Sequence, residues 1–139
     1  MIELLVVMVV IGILAVIALP AFFSQRDKAN DSGAKGIAHA AQMAMEICAN
    51  DHAGKYDKGN CTLEGLRKIE PSLPGGEEGP LEVAAEGDSY SIDVTAERTG
   101  NVYSIDRDDT GHFTFPCSVA GSNAGGCRLT NEKEGTWGG

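Results

Sequence analysis

The distribution of apolar residues divides the chain into an apolar beginning and a mixed remainder. Residues 4–19 read LLVVMVVIGILAVIAL, and after Glu3 no charged residue occurs until Arg26. As a helix, the roughly 20 residues from 4 to 23 span about 30 Å, which matches the hydrocarbon core of a bilayer. The pattern predicts an apolar transmembrane helix over residues 1–23 and a globular head over residues 24–139.

Beyond residue 23 the helical pattern continues to about residue 50 in a more polar form. Small and apolar residues recur there at spacings of 4, 3, 4, 3 and 4, which is a heptad-like stripe. Its positions are Ala29, Gly33, Gly36, Ala40, Met43 and Ile47, widened by Ile37, Ala41, Ala44 and Cys48. We expect this stripe to pack against the head and the charged residues beside it to stay in solvent. Those charged residues are Arg26, Lys28, Asp31 and Lys35.

After the long helix, turn signals and alternating patterns predict shorter elements. Thr62 can cap a short helix that Pro71 ends, and the turn-rich stretch 72–80 follows. Four segments then alternate apolar and polar residues, namely 81–85, 89–96, 101–106 and 112–116. The connections between these segments have the length and composition of hairpin turns.

Together these elements predict an α+β fold, in which the long N-terminal helix packs on a four-stranded antiparallel β-sheet. In the second predicted strand Tyr90, Ile92 and Val94 share one face, which suits them to cover the helix. Residues 117–139 contain six glycines and show no clear period. We expect this last segment to be a disulfide-tied loop followed by a surface tail.

The charges are concentrated in the second half and are mostly negative there. Residues 24–70 carry seven Lys/Arg and seven Asp/Glu, whereas residues 71–139 carry four against twelve, a balance of −8. An acidic surface of this kind repels phosphate backbones. We therefore expect no direct nucleic-acid binding.

The four cysteines form two local pairs. Twelve residues separate Cys48 from Cys61, and nine separate Cys117 from Cys127. No C-x-x-C motif occurs, and the sequence places no histidine in a ligand set with the cysteines, so we expect no metal site and no cofactor. Four cysteines permit three pairings. We favour Cys48–Cys61 and Cys117–Cys127 in an oxidising compartment, because each bond closes a short loop.

No combination of residues indicates catalysis, and we expect the protein not to be an enzyme. The histidines fall in separate predicted elements: His39 in the long helix, His52 in a loop and His112 at the start of a strand. An acidic turn at residues 106–109 offers three carboxylates, but Ca²⁺ requires six to eight oxygen ligands. A solvated β-turn is the better interpretation of this cluster.

The apolar run differs both from a signal peptide and from a simple membrane anchor. No basic segment precedes it in this sequence, and it continues into the polar helical stretch SQRDKANDSGAKG rather than a small-residue cleavage site. A simple anchor leaves Glu3 unexplained, because a carboxylate at the edge of an apolar run is costly unless it is paired.

Residues 2–22, IELLVVMVVIGILAVIALPAF, closely resemble the N-terminal segment of type IV pilins and of the pseudopilins of type II secretion systems. The shared features are Glu3, the aliphatic run, Gly12 within it and Pro20 near its end. The resemblance covers about the first 25 residues. Members of the family carry a short basic leader that a prepilin peptidase removes. By this resemblance Met1 matches a position two residues inside the mature protein, so we expect the leader and the methylated terminus to lie outside this sequence.

The resemblance implies a structural subunit of an extracellular type IV pilus on the bacterial cell surface. The subunit would cross the cytoplasmic (inner) membrane once, and the pilus assembly machinery would then polymerise it into a helical filament of identical subunits. Residues 1–23 would form the filament core, where Glu3, Gly12 and Pro20 would act in assembly and Glu3 would pair with an amino-terminal nitrogen. The alternatives are a type II secretion pseudopilin, a minor pilin, or a membrane-anchored binding module that never polymerises.

Overall fold

A computed structural model of the chain describes residues 1–56, 59–76 and 78–138. Two helices precede seven strands in the described residues. The helices are α1 (Ile2–Asp51) and α2 (Leu63–Ile69), and the strands are β1 (Leu81–Glu86), β2 (Ser89–Thr95), β3 (Val102–Arg107), β4 (Phe113–Thr114), β5 (Pro116–Ser118), β6 (Arg128–Leu129) and β7 (Glu134–Thr136). The predicted turn-rich stretch 72–80 includes Glu77, and the predicted loop and tail 117–139 includes Gly139. Both residues lie outside the described ranges.

Helix α1 is continuous over 50 residues, and Pro20 lies inside it. At about 1.5 Å per residue its length is roughly 75 Å. Residues 1–26 are exposed throughout, and the first buried residue of the helix is Asp31. The sequence therefore predicted the extent of this helix correctly, and the structure divides it into a projecting half and a half that packs on the head.

The face of α1 that packs on the head differs from the predicted stripe. Its buried residues lie along one face of the helix, and they are Asp31, Ala34, Ala38, Ala41, Ala44, Met45, Cys48 and Ala49. Met43 and Ile47, which belong to the predicted stripe, are 68% and 47% exposed. Ala41, Ala44 and Cys48, which widen the predicted stripe, are buried as predicted. The centre of the predicted stripe was wrong, because the buried face consists mainly of alanines and includes a carboxylate. Asp31, expected in solvent, is only 1% exposed.

Helix α2 forms where its capping signals predict it. Thr62 is the N-cap, and its Oγ1 accepts a hydrogen bond from the backbone N–H of Gly65 at 3.3 Å. Leu66 is the fully buried residue of α2 and packs in the core against α1. The disulfide between Cys48 and Cys61 joins the end of α1 to the residue just before this cap.

The sheet is antiparallel throughout, with strand order β1-β2-β3-β5-β7-β6 and with β4 paired to β3. In β2 the buried positions are Tyr90, Ile92 and Val94, as their alternation predicts. Ile92 lies opposite Ile105 of β3, and both are fully buried. These central strands supply the surface on which the alanine-rich face of α1 packs.

The sheet has seven strands, so the prediction of four was wrong. The first three predicted strands are present, but the fourth is divided between β4 and β5 by an interruption at Phe115. The pairing of β5 with β3 would place Pro116 opposite Ser104, and proline has no N–H to donate. The indole N–H of Trp137 instead donates to the Ser104 carbonyl at 2.8 Å.

The segment expected to be a loop and tail contributes the last two strands. Strands β6 and β7 contain two and three residues, too few to show a hydrophobic period. The side chain of Asn131 closes the turn between them by accepting hydrogen bonds from the backbone N–H groups of Lys133 and Glu134. Gly135 of β7 is required because a Cβ there would lie 2.0 Å from the Arg128 carbonyl oxygen.

Candidate functional site

The projecting half of α1 is an uninterrupted apolar surface. Seventeen large apolar residues of the segment 1–23 are exposed, whereas the rest of the described chain exposes three. The 18-residue window that is long and apolar enough to cross a membrane lies in this helix, and none of it is buried. The Arg26 guanidinium lies 5.6 Å from the centre of the Phe22 ring and marks the end of the apolar surface. Helix α1 is therefore compatible with membrane anchoring, and the apolar side chains of residues 1–23 are exposed.

The three residues singled out by the pilin resemblance all lie on this projecting half. Glu3 is in the first turn of α1, where its negative charge is favoured by the helix dipole. A Cβ added at Gly12 would meet no other atom within 4 Å, so the fold of the monomer does not require a glycine there. Pro20 leaves the carbonyl of Val16 without its usual helical partner. The structure does not bring these residues together, since they are spread over five turns of one helix.

A buried carboxylate fastens α1 to the head where the helix first becomes buried. Asp31 Oδ1 accepts hydrogen bonds from Thr99 Oγ1 at 2.6 Å and from Asn101 Nδ2 at 3.4 Å. Both partners belong to the segment between β2 and β3. Asp31 Oδ2 is buried and has no hydrogen-bond partner among the described residues. Because the donors lie about 70 positions away in the chain, this contact fixes the rotation of the helix against the sheet.

Lys35 extends the same contact to the loop closed by the second disulfide. Its Nζ donates to the Gly125 carbonyl at 2.8 Å and lies 4.8 Å from the centre of the Tyr103 ring. The Tyr103 hydroxyl donates to the same carbonyl at 2.9 Å, and burial raises the pKa of Tyr103 to about 12. Gly125 has φ +54, and a Cβ there would lie 2.3 Å from Asp31 Oδ2. The close approach of loop and helix therefore depends on glycine.

An exposed ion pair lies next to the buried Asp31. Arg98 Nε contacts Asp27 Oδ1 at 3.2 Å, and the Arg98 backbone N–H donates to Asn30 Oδ1 at 3.0 Å. Both charged side chains are substantially exposed. Solvent weakens such pairs to between about 0 and 1 kcal/mol. The turn between β2 and β3 is thus held to α1 mainly through Asp31 and Asn30.

A second polar contact joins the C-terminal part of α1 to the sheet. The hydroxyls of Tyr56 and Tyr90 both donate to the Glu46 carboxylate, at distances of 2.9–3.0 Å. Their rings meet edge to face with centres 4.7 Å apart. Burial and the Glu46 hydrogen bond raise the pKa of Tyr56 to about 12, and the same causes raise the pKa of Tyr90 further.

Both disulfides are present with the pairing that the spacing favours. The Cα atoms of Cys48 and Cys61 are 5.8 Å apart, and those of Cys117 and Cys127 are 5.9 Å apart. The sequence indicated no histidine in a ligand set with the cysteines, and the structure places His52 beside the first disulfide. Nδ1 of His52 is 3.8 Å from Cys48 Sγ and 2.8 Å from the Cys48 carbonyl oxygen, because the two residues are one helical turn apart.

The acidic turn at residues 106–109 uses a carboxylate to hold its own backbone. Asp108 Oδ1 accepts hydrogen bonds from the N–H groups of Thr110 and His112 and from the Thr110 hydroxyl. The Thr110 hydroxyl and then the His112 N–H lower the pKa of the Asp108 carboxyl below its usual value. These contacts support the interpretation of this segment as a turn.

Sequence reasoning missed the residues that fasten the helix to the head. Asp31 and Lys35 were predicted to be in solvent because their partners lie in distant segments, and Glu46 was assigned no role. The signal for Asp31 was its position in the alanine series Ala34, Ala38, Ala41, which repeats every three or four residues.

The comparisons with known proteins give no match: no family model covers the chain, and no curated protein or solved structure is significantly similar to it.

Proposed function

We propose that this chain is the structural subunit of an extracellular helical filament of the type IV pilus kind. Identical subunits polymerise through residues 1–23, which form the filament core, and the heads form the outer surface. An interface of this kind joins different surfaces on the two partners and does not close, so it generates a filament of indefinite length. Before assembly the same segment anchors the subunit in the cytoplasmic membrane.

The observation that carries the proposal is the concentration of exposed apolar residues in one half of α1. Burying a Val, Leu, Ile, Phe or Met side chain is worth about 1.5–3 kcal/mol. Seventeen exposed side chains of this class therefore leave the isolated subunit far from its most favourable environment in water. A bilayer or a bundle of identical helices can supply the missing apolar contacts.

Glu3 favours the bundle over the bilayer as the final environment. A carboxylate within an apolar core requires a cationic or hydrogen-bonding partner. In a filament the amino-terminal nitrogen of a neighbouring subunit can supply that partner, and the ion pair then sets the axial position of one helix against the next. In a membrane anchor without assembly, Glu3 would lie at the bilayer surface and would need no such partner.

The contacts between helix α1 and the head support a role in transmitting force. The Asp31 and Lys35 contacts tie α1 to two separate segments of the head, and the Cys117–Cys127 disulfide closes one of these. Force applied to the head is therefore passed to the helix through hydrogen bonds and packing at several points. A filament subunit requires such a connection.

The direct test is microscopy of material sheared from the surface of the native cells. Negative staining of cells with this gene, without it, and with the gene restored should show filaments in the first and third only. Antibody to the head should label the filaments along their length. Filaments that persist without the gene would contradict the role of a major pilin. Labelling confined to rare positions would favour a minor pilin, and a chain found only as membrane-embedded monomers would favour a binding module.

A further inference from the structure

One disulfide lies in a set of side chains that can bind a metal ion once the bond is reduced. Cys48 is in the last turn of α1, His52 follows the helix, and Cys61 precedes α2. The ligand atoms of these three residues all lie within 4.8 Å of one another, and the two cysteines are buried. We propose that reduced Cys48, reduced Cys61 and His52 form a binding site for Zn²⁺ or another thiophilic cation.

After reduction the two sulfurs must move apart to bind one tetrahedral ion, because they are joined in the disulfide. With Zn–S bonds of about 2.3 Å and Zn–N bonds of about 2.0–2.1 Å, ligand atoms around tetrahedral zinc are separated by roughly 3.3–3.8 Å. Cys48 Sγ and His52 Nδ1 are 3.8 Å apart. Nδ1 also donates to the Cys48 carbonyl at 2.8 Å, so it must give up that hydrogen bond and transfer its proton to Nε2 before it can bind the ion. All ligand atoms of the set lie within 4.8 Å of one another, so these are local side-chain rearrangements. Two thiolates and an imidazole are ligands that zinc favours, and water completes the fourth position.

The oxidised bond and the metal site exclude each other. A dithiol reductant converts the Cys48–Cys61 disulfide into two thiols and is itself oxidised to a disulfide. Each thiol then loses its proton as its sulfur binds Zn²⁺, so two protons are released for each ion bound. Reversal requires loss of the ion and an oxidant of the thiol–disulfide exchange class. The metal thus joins the end of α1 to the start of α2 when the disulfide is absent.

The second disulfide provides an internal control. Within residues 1–56, 59–76 and 78–138, the Cys48, His52 and Cys61 set is the only group of three such side chains with ligand spacing. Cys117 and Cys127 have no histidine or carboxylate that completes a comparable set in those ranges. Reduction therefore exposes four thiols, of which only one pair has an imidazole positioned to bind a metal with it.

The test is a Co²⁺ titration of the full-length chain in detergent, after reduction by a phosphine and removal of oxygen. Thiolate-to-cobalt charge-transfer absorbance should reach its plateau at one ion per reduced chain, and Zn²⁺ should displace it. The Cys117→Ser/Cys127→Ser variant should behave identically. The Cys48→Ser/Cys61→Ser variant and the oxidised chain should give no such absorbance.

His52→Ala keeps all four cysteines, so it tests the site even where the serine variants misfold. Replacing groups that only orient a metal ligand commonly lowers affinity about 10- to 100-fold, so removing a ligand should lower it at least tenfold. Zn²⁺ should also raise the Tm of the reduced wild type but not of reduced His52→Ala. Equal Co²⁺ affinity in His52→Ala and wild type would overturn the proposal. So would absorbance retained by Cys48→Ser/Cys61→Ser, or no absorbance from the reduced wild type.

Discussion

The two halves of helix α1 meet opposite requirements with the same secondary structure. Residues 1–23 carry large aliphatic side chains on every face, and all of them are exposed. The half that packs on the head buries mostly alanines on one face, and its large apolar residues Met43 and Ile47 point outward. Small residues allow the helix to lie close to the sheet, whereas the projecting half leaves its large side chains exposed.

The two halves of α1 are also stabilised differently. The head has a core of helix, sheet and two disulfides, with Asp31 and Glu46 as polar attachments between the helix and the strands. The projecting half is exposed along its length and is stabilised mainly by its own helical hydrogen bonds. Changes in the head should therefore alter folding stability, and changes in the projecting half should alter assembly.

The largest expected effect follows deletion of residues 1–23. Because the core of the head lies entirely beyond this segment, the remaining chain should fold, stay soluble and be monomeric. Size-exclusion chromatography and circular dichroism check this result. Filaments formed by the truncated chain would show that the heads alone drive assembly.

The next largest effect should follow Asp31→Ala. The change removes the acceptor of the Thr99 hydroxyl and one of the two acceptors of the Asn101 amide, which should reduce the free energy of unfolding by about 2 kcal/mol. Asp27→Ala is the matched control, because its exposed pair with Arg98 should contribute less than about 1 kcal/mol. Denaturant unfolding of both variants provides the measurement. An Asp31→Ala chain as stable as Asp27→Ala would show that the Asp31 contact does not stabilise the fold.

A smaller effect should appear at alkaline pH. The pKa of Tyr56 is raised to about 12 and that of Tyr90 is raised as well, whereas tyrosines in unfolded chains titrate near 10. Above pH of about 10 the unfolded chain loses these protons before the folded chain does, so stability should fall between about pH 10 and 12. Below about pH 10 these groups should give no pH dependence. Thermal unfolding of the wild type and of Tyr56→Phe in detergent measures this effect. A wild-type Tm at pH 11 equal to the Tm below pH 10 would contradict the prediction.

The smallest expected change is confined to the assembled state. We expect the helix to weaken or melt between Gly12 and Pro20 in the filament, because Pro20 lacks an N–H and Gly12 lowers the cost of unwinding. In the monomer the helix is continuous through both residues. A filament structure with unbroken helical hydrogen bonds over residues 2–23 would disprove this expectation.

The sequence predicted those features that local patterns determine. The apolar run, the full extent of α1, the cap at Thr62 and the first three strands all follow from periodicity and turn residues. The cysteine pairing followed from loop length. The face of α1 that packs on the head did not follow from the sequence, because Met43 and Ile47 are more hydrophobic than the alanines that are buried.

What the sequence could not predict depends on contacts between distant segments. Asp31 is buried because Thr99 and Asn101 satisfy it, and His52 lies beside a disulfide whose second cysteine follows a loop. The last two strands are too short to show a period, and they form because Asn131 and Gly135 permit a tight pairing. In the candidate site, sequence alone indicated Glu3, Gly12 and Pro20, and their roles are still predictions.

The measurement that tests the central claim most directly compares Glu3→Leu and Glu3→Gln with wild type. Surface filaments and membrane-retained subunits should be quantified in the same cells. Leucine suits a bilayer but cannot pair with an amino group, and glutamine keeps the shape of the side chain without its charge. If residues 1–23 assemble through a Glu3 ion pair, both variants should insert stably in the membrane and form few or no filaments. Wild-type filament yield from Glu3→Leu would contradict the account.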